Sequence, residues 1–174
     1  MSRKHRATRI AGQFAPRLIE MMESPAYRSL TLAARRVLDR VEIELAHHGG
    51  HDNGGLPVTY DDFEHYGIHR HQIAPAIHEA VALKFLEITK SGRAGNAEFR
   101  APNLFRLTYR HTKRDEPTHD WKRITTTEQA LKLARQARAP IARNKFRIPV
   151  AGFCHAYPPE TATETIVQKP PLRS

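Results

Sequence analysis

A chain of 174 residues, 40% of them hydrophobic, suits one domain with tails, and no apolar run approaches the roughly 20 residues that cross a bilayer. The basic start lacks the apolar stretch of a secretory signal, and the lone Cys154 excludes internal disulfides and cysteine zinc sites, so a cytoplasmic protein is expected. A net charge of +10 favours polyanionic partners, either nucleic acid or an anionic membrane surface.

That charge is unevenly placed. Residues 1–28 hold six basic and two acidic side chains, 29–83 hold four and eight, 84–124 hold ten and five, and 125–174 hold eight and three. An acidic stretch therefore separates a basic arm from a basic later segment and tail.

Residues 1–12 read as a flexible basic arm carrying Arg3, Lys4, Arg6 and Arg9. Phe14, Leu18, Ile19 and Met22 then fall at helical spacing, with Pro16 in the first turn and Ser24-Pro25 as the break. From Thr31 a longer amphipathic helix is expected. Its apolar face is Leu32, Ala33, Val37, Leu38, Val41 and Leu45, and its polar side is Arg35, Arg36, Asp39, Arg40, Glu42 and Glu44. Gly49-Gly50 ends it. A polar HDNGG loop leads into the β-prone Leu56 to Tyr60. Asp61 or Thr59 can cap a brief helix through Phe63 and Tyr66, which Gly67 closes.

A third helix places Ile73, Ile77, Ala80 and Val81 on one face. Proline is tolerated in a first turn, so Pro75 predicts a start near Gln72. Phe85 to Thr89 and Phe105 to Tyr109 alternate as paired strands. Between them, Ser91 to Asn96 is a glycine-bearing, cationic hairpin tip. A last helix over about 126–138 has Ala130, Leu131 and Ala134 on one stripe. The prolines from Pro140 onward predict a mostly disordered tail.

Two helices joined by a tight glycine-containing turn, followed by a hairpin, are the order of a winged helix-turn-helix, whose second helix can enter the major groove. At 100° per residue, the outward side of the third helix holds His71, Gln72, Pro75, His78 and Glu79. Gln72 can pair bidentately with adenine, a histidine can donate to guanine, and Arg70 at the helix start suits a guanine or a phosphate. Glu79 would repel phosphates, although it can accept from cytosine. In the wing, Lys90, Ser91, Arg93, Asn96 and Arg100 surround Gly92 and Gly95, as phosphate or minor-groove contact requires. The arm cations Arg3, Lys4, Arg6 and Arg9 can follow the adjacent groove.

The segments SLTLAARRVLDRVEIE, NGGLPVTYDDFEHYGI and IAPAIHEAVALKFLEITKSGRAGNAEFRAPNLFRLTY resemble winged-helix domains of bacterial and mobile-element proteins, including plasmid and phage replication proteins. The chain also resembles an uncharacterised family of short bacterial proteins. The resemblance covers Ser29 to Tyr109, about half the chain, and implies fold more than task, because one winged-helix fold serves many functions. Against that pattern, His69 replaces a better capping residue, and Lys84 stands where glycine often follows the third helix.

Other chemistry is not expected. His47, His48 and His51 cluster at a helix end without a carboxylate at clear ligand spacing. His69-Arg70-His71 matches the His-x-His spacing of rolling-circle nickases, but with arginine in the middle and beside a helix. Tyr60, Tyr66 and Tyr109 lack a general base, no phosphate-cradling glycine loop with lysine occurs, and Cys154 has no nucleophile context. The expectation is a non-enzymatic α+β, mainly helical protein without metal, cofactor or small-molecule substrate. Its parts are a basic arm and short helix (1–24), a winged helix-turn-helix domain (25–124), a basic helix (125–139) and the tail (140–174). It would bind double-stranded DNA as a nucleoid-associated bacterial transcriptional regulator, with a homodimer left open. The alternatives are a plasmid, phage or integrated-element replication or partition accessory, and a protein-interaction module on the same scaffold.

Overall fold

The computed structural model describes residues 12–93 and 101–139. The helices are α1 (Ile19–Glu23), α2 (Pro25–Arg28), α3 (Leu32–His47), α4 (Tyr60–His65), α5 (Arg70–Ala82) and α6 (Thr127–Arg138). The strands are β1 (Leu56–Val58), β2 (Leu86–Lys90) and β3 (Asn103–Leu107), and a 3-10 turn spans Asp120–Arg123. The strands form one antiparallel sheet in the order β1-β3-β2. Phe105 lies opposite Leu56 on one side and Ile88 on the other. The fold is α+β, and the hairpin partners expected from alternation do pair.

The first helix is shorter than its spacing suggests. It starts at Ile19, and Leu18 before it is extended. Phe14, Leu18 and Ile19 are exposed, whereas Met21 is buried. The expected stripe fails because Arg17 is pulled aside by α3. Its Nε and Nη2 donate to Glu42 at 3.1 Å, Nη1 donates to Tyr27 Oη at 3.0 Å, and Nη2 also meets Asp39. Ser24 then caps α2 by accepting from the Tyr27 amide, with Pro25 at its first position.

Thr31, expected near the start of α3, caps it by accepting from the Ala34 amide. Its buried face is Ala34, Val37, Leu38, Val41 and Leu45, while Leu32 is 67% exposed and Ala33 only half-buried. Glu42, expected on the solvent side, is buried. Its Oε1 accepts from the Tyr109 hydroxyl at 2.6 Å as well as from Arg17. Burial opposes the Arg17 charge, but Tyr109, Glu42 and Asp39 outweigh it and raise its pKa. Burial, with the Glu42 charge beside it, pushes the Tyr109 hydroxyl well above its ordinary value. The helix closes with Gly49 donating to Ala46 and Gly50 to Leu45, the double bond of a Schellman end.

Thr59 rather than Asp61 caps α4. Its hydroxyl accepts from the Asp62 amide while the Asp62 carboxylate accepts from the Thr59 amide, a complete capping box. Gly67, at φ +89°, turns the chain towards α5. That helix begins at Arg70, two residues before the expected start, so Pro75 lies inside it. An interior proline costs about 3 kcal/mol. Burying Ile73 and Ile77 from the same helix returns roughly 1.5–3 kcal/mol each, enough to offset that cost. Lys84 adopts φ +65°, the left-handed conformation for which glycine is the usual residue.

Met21 of α1, Trp121, and Ala130 and Ala134 of α6 belong to the same buried cluster as the central helices and sheet. Trp121 stacks on Phe85 at 6.3 Å. On α6, Leu131 is exposed and the neighbouring Leu133 packs against the core instead. The polar HDNGG loop is tied down by Asn53, which is buried. Its Nδ2 donates to the Leu107 and Arg110 carbonyls at 2.8 Å, and its Oδ1 accepts from the Leu107 amide at 2.7 Å. Replacing Asn53 by alanine strands these backbone groups and is expected to cost roughly 2–3 kcal/mol. Urea unfolding measures this, and a loss below about 1 kcal/mol would show the loop is held by other contacts.

Candidate nucleic-acid interface

The expected reading residues lie on α5, and the structure sorts them by exposure. Arg70, His71 and Gln72 are exposed in its first turn, and Pro75 and His78 are half-buried. The His69 side chain does not cap the helix, and its ring stacks on His71 at 5.8 Å. Glu79, expected beside them, is instead fully buried. Its Oε1 accepts from the Thr31 amide at 2.8 Å and Oε2 from the Thr31 hydroxyl at 2.9 Å. Arg138 of α6 places Nη1 3.0 Å from Oε1. Helical spacing did not reveal this, because position 79 falls outside the arc of α5 that buries Ala76 and Ala80, and its partners Thr31 and Arg138 come from other elements.

Arg70 is not an unengaged cation. Its Nη1 donates to Asp61 Oδ1 at 2.7 Å and to Glu64 Oε2 at 2.8 Å, and all three side chains are about half exposed. Hydrogen bonding by Asp61, then by Glu64, raises the Arg70 pKa. Two carboxylates of α4 thus stand at the entrance of α5, where a phosphate contact was expected. Spacing alone gave no warning, because the pairs form across the turn at Gly67.

On the hairpin of β2 and β3, Lys90, Ser91 and Arg93 are exposed. Arg93 and Ala101 exchange backbone hydrogen bonds of 2.9 and 3.2 Å, and the Gly92 amide donates to Asn103 Oδ1 at 2.6 Å. A Cβ on Gly92 would lie 2.5 Å from the Ala101 carbonyl oxygen, so only glycine fits this crossing. Asn96 and Arg100, expected in a wing, the arm cations Arg3, Lys4, Arg6 and Arg9, and the tail from 140 lie outside the described residues.

The histidine cluster differs from expectation. His48 sits between Glu44 at 3.3 Å, one turn back in α3, and Asp52 at 3.2 Å in the loop that follows. Carboxylates are therefore present at close range. Among the described residues, however, no group of three or more His, Cys, Asp or Glu side chains is arranged to hold a metal. Asp52 also meets Lys113, and its pKa is lowered first by that lysine and then by His48. No described helix is long and apolar enough to cross a membrane.

The chain matches no protein-family model, no curated protein and no solved structure. The functional reading therefore rests on the geometry of α5 and its surroundings.

Removing one partner from a buried charge pair typically costs about 3–5 kcal/mol. The substitution Glu79→Ala unpairs Arg138 and the Thr31 amide together, so a loss near the lower end of that range is expected in urea unfolding. A change under about 1 kcal/mol would mean α6 docks without this carboxylate.

Proposed function

We propose that the protein binds double-stranded DNA by sequence, with α5 reading bases in the major groove, and regulates transcription in a bacterial cytoplasm in association with the nucleoid. The observation that carries this reading is the inward turn of Glu79. It is the single acidic residue between 70 and 82, so α5 presents histidine, glutamine and arginine to solvent without a carboxylate of its own. Support also comes from the element order, in which a helix pair with a glycine turn precedes an antiparallel hairpin. A winged helix-turn-helix needs that arrangement. Exposed Lys90 and Arg93 on the hairpin suit phosphates, which carry affinity but no sequence information. A homodimer on paired half-sites would extend a footprint that is small for one copy.

A second reading, a protein-interaction module, draws on Asp61 and Glu64 beside Arg70 and on the exposed Phe14, Leu18 and Ile19. Selection of bound sequences from random duplex DNA separates the two. An enriched motif is expected, and the absence of duplex binding by folded protein would favour the interaction module.

Two variants then test the division of labour. Replacing Gln72 and His78 by alanine should weaken the selected site more than unrelated duplex, by roughly 1–3 kcal/mol for each bidentate base pairing removed. Equal losses on both duplexes would show that α5 does not read sequence. Replacing Arg93 by alanine should weaken both duplexes alike and lower the slope of log affinity against log salt by about one unit. An unchanged slope would place the hairpin away from DNA.

A further inference from the structure

The two sides of α5 are electrically unlike. On the α4 side, Asp61 and Glu64 stand exposed around Arg70. On the other side a groove of about 450 Å³ runs between α3, the turn at Gly67, α5 and the end of α6. His71, Gln72 and Pro75 form one wall of it, and Arg36 and Arg138 supply its cations. Arg36 is exposed, and its Nη1 donates to the Gly67 carbonyl at 2.8 Å. That bond holds the guanidinium beside the start of α5 and leaves most of its five donors for a ligand. The Arg138 side chain is one-third exposed although paired with Glu79. Among the described residues, Glu79 is the one carboxylate lining the groove. It has no exposed surface, and both its oxygens are already hydrogen-bonded. The groove therefore shows its cations to solvent and hides its anion.

We infer that this groove takes the sugar–phosphate backbone of one DNA strand, beside the bases that α5 faces, with Arg36 and Arg138 as the phosphate contacts. The inference rests on the DNA-binding reading above and adds the side on which the strand lies. Planar guanidinium donors match phosphate oxygens, and the walls shared with His71 and Gln72 place the backbone next to the reading residues. Like-charge repulsion from Asp61 and Glu64 disfavours the opposite side. Leu32, 67% exposed on the same groove, offers an apolar surface to a deoxyribose.

Salt titrations of duplex binding by the full chain test this with Arg36→Gln, Leu32→Glu and Leu32→Lys. Arg36→Gln should lower the slope of log affinity against log salt by about 0.9, so that the drop in affinity between about 50 and 200 mM salt shrinks by roughly three- to fourfold. Leu32 is the first residue of α3, where an acidic side chain favours the helix. Leu32→Glu should therefore keep or raise the melting temperature while weakening every duplex, and Leu32→Lys should strengthen every duplex. If Arg36→Gln proves unfolded, the opposite signs of the two Leu32 variants decide alone. Duplex binding with an unchanged Arg36→Gln slope, or with no response to charge at Leu32, overturns the groove assignment and leaves the DNA-binding reading standing. Absence of binding to any duplex by folded wild-type protein removes both.

Discussion

A carboxylate with no exposed surface must draw partners from the elements around it, and Glu79 draws them from two others. It lies on α5, accepts from the amide and hydroxyl of the residue that caps α3, and pairs with Arg138 near the end of α6. Burying a charge in this way adds little net stability compared with an apolar substitute. What it contributes is position. The start of α3, the middle of α5 and the end of α6 meet at one point, and the groove beside α5 exists because they do. Thr31 is used twice there, since its hydroxyl also accepts from the Ala34 amide and starts α3.

A second buried anion organises the other side of α3. Glu42 takes the Tyr109 hydroxyl and the Arg17 guanidinium, so the segment before α1 is drawn across α3 instead of continuing as a helix. Asn53 performs a similar task without charge, fastening the loop before β1 to the end of β3. Glu42, Glu79 and Asn53 are all buried, where an unmade hydrogen bond is costly. Together they limit how the short helices can shift relative to the small sheet. A three-stranded sheet with a three-residue edge strand has few ladder bonds of its own to do this.

The surroundings of α5 then differ in charge from side to side, for reasons that begin in these buried contacts. Turning Glu79 inward leaves the α5 surface without a carboxylate, while the turn at Gly67 brings Asp61 and Glu64 of α4 against Arg70. The same turn accepts Arg36 through its carbonyl on the opposite side. One glycine turn thus divides an acidic flank from a basic one. Under the DNA-binding reading, that division orients a duplex across α5, and the exposed cations of the hairpin provide a second hold.

The sequence by itself determined the order of the main elements, the start of α3 near Thr31, its end at Gly49-Gly50, the turn at Gly67 and the pairing of the two later strands. These follow from local chemistry: hydroxyl caps, glycine turns and the periods of helix and strand act within a few residues. Tertiary structure alone decided where α1 and α5 begin and which polar residues are buried. Arg17 leaves the expected helix for partners 10 to 25 residues away, and α5 begins early enough to take Pro75 inside it, a cost that the burial of Ile73 and Ile77 offsets. Glu42 and Glu79 turn inward because Tyr109 and Arg138, distant in sequence, arrive beside them. Periodicity assigns a charged residue to solvent by default. Only a partner brought in by the fold reverses that assignment, since a carboxylate leaves water when enough donors replace its hydration.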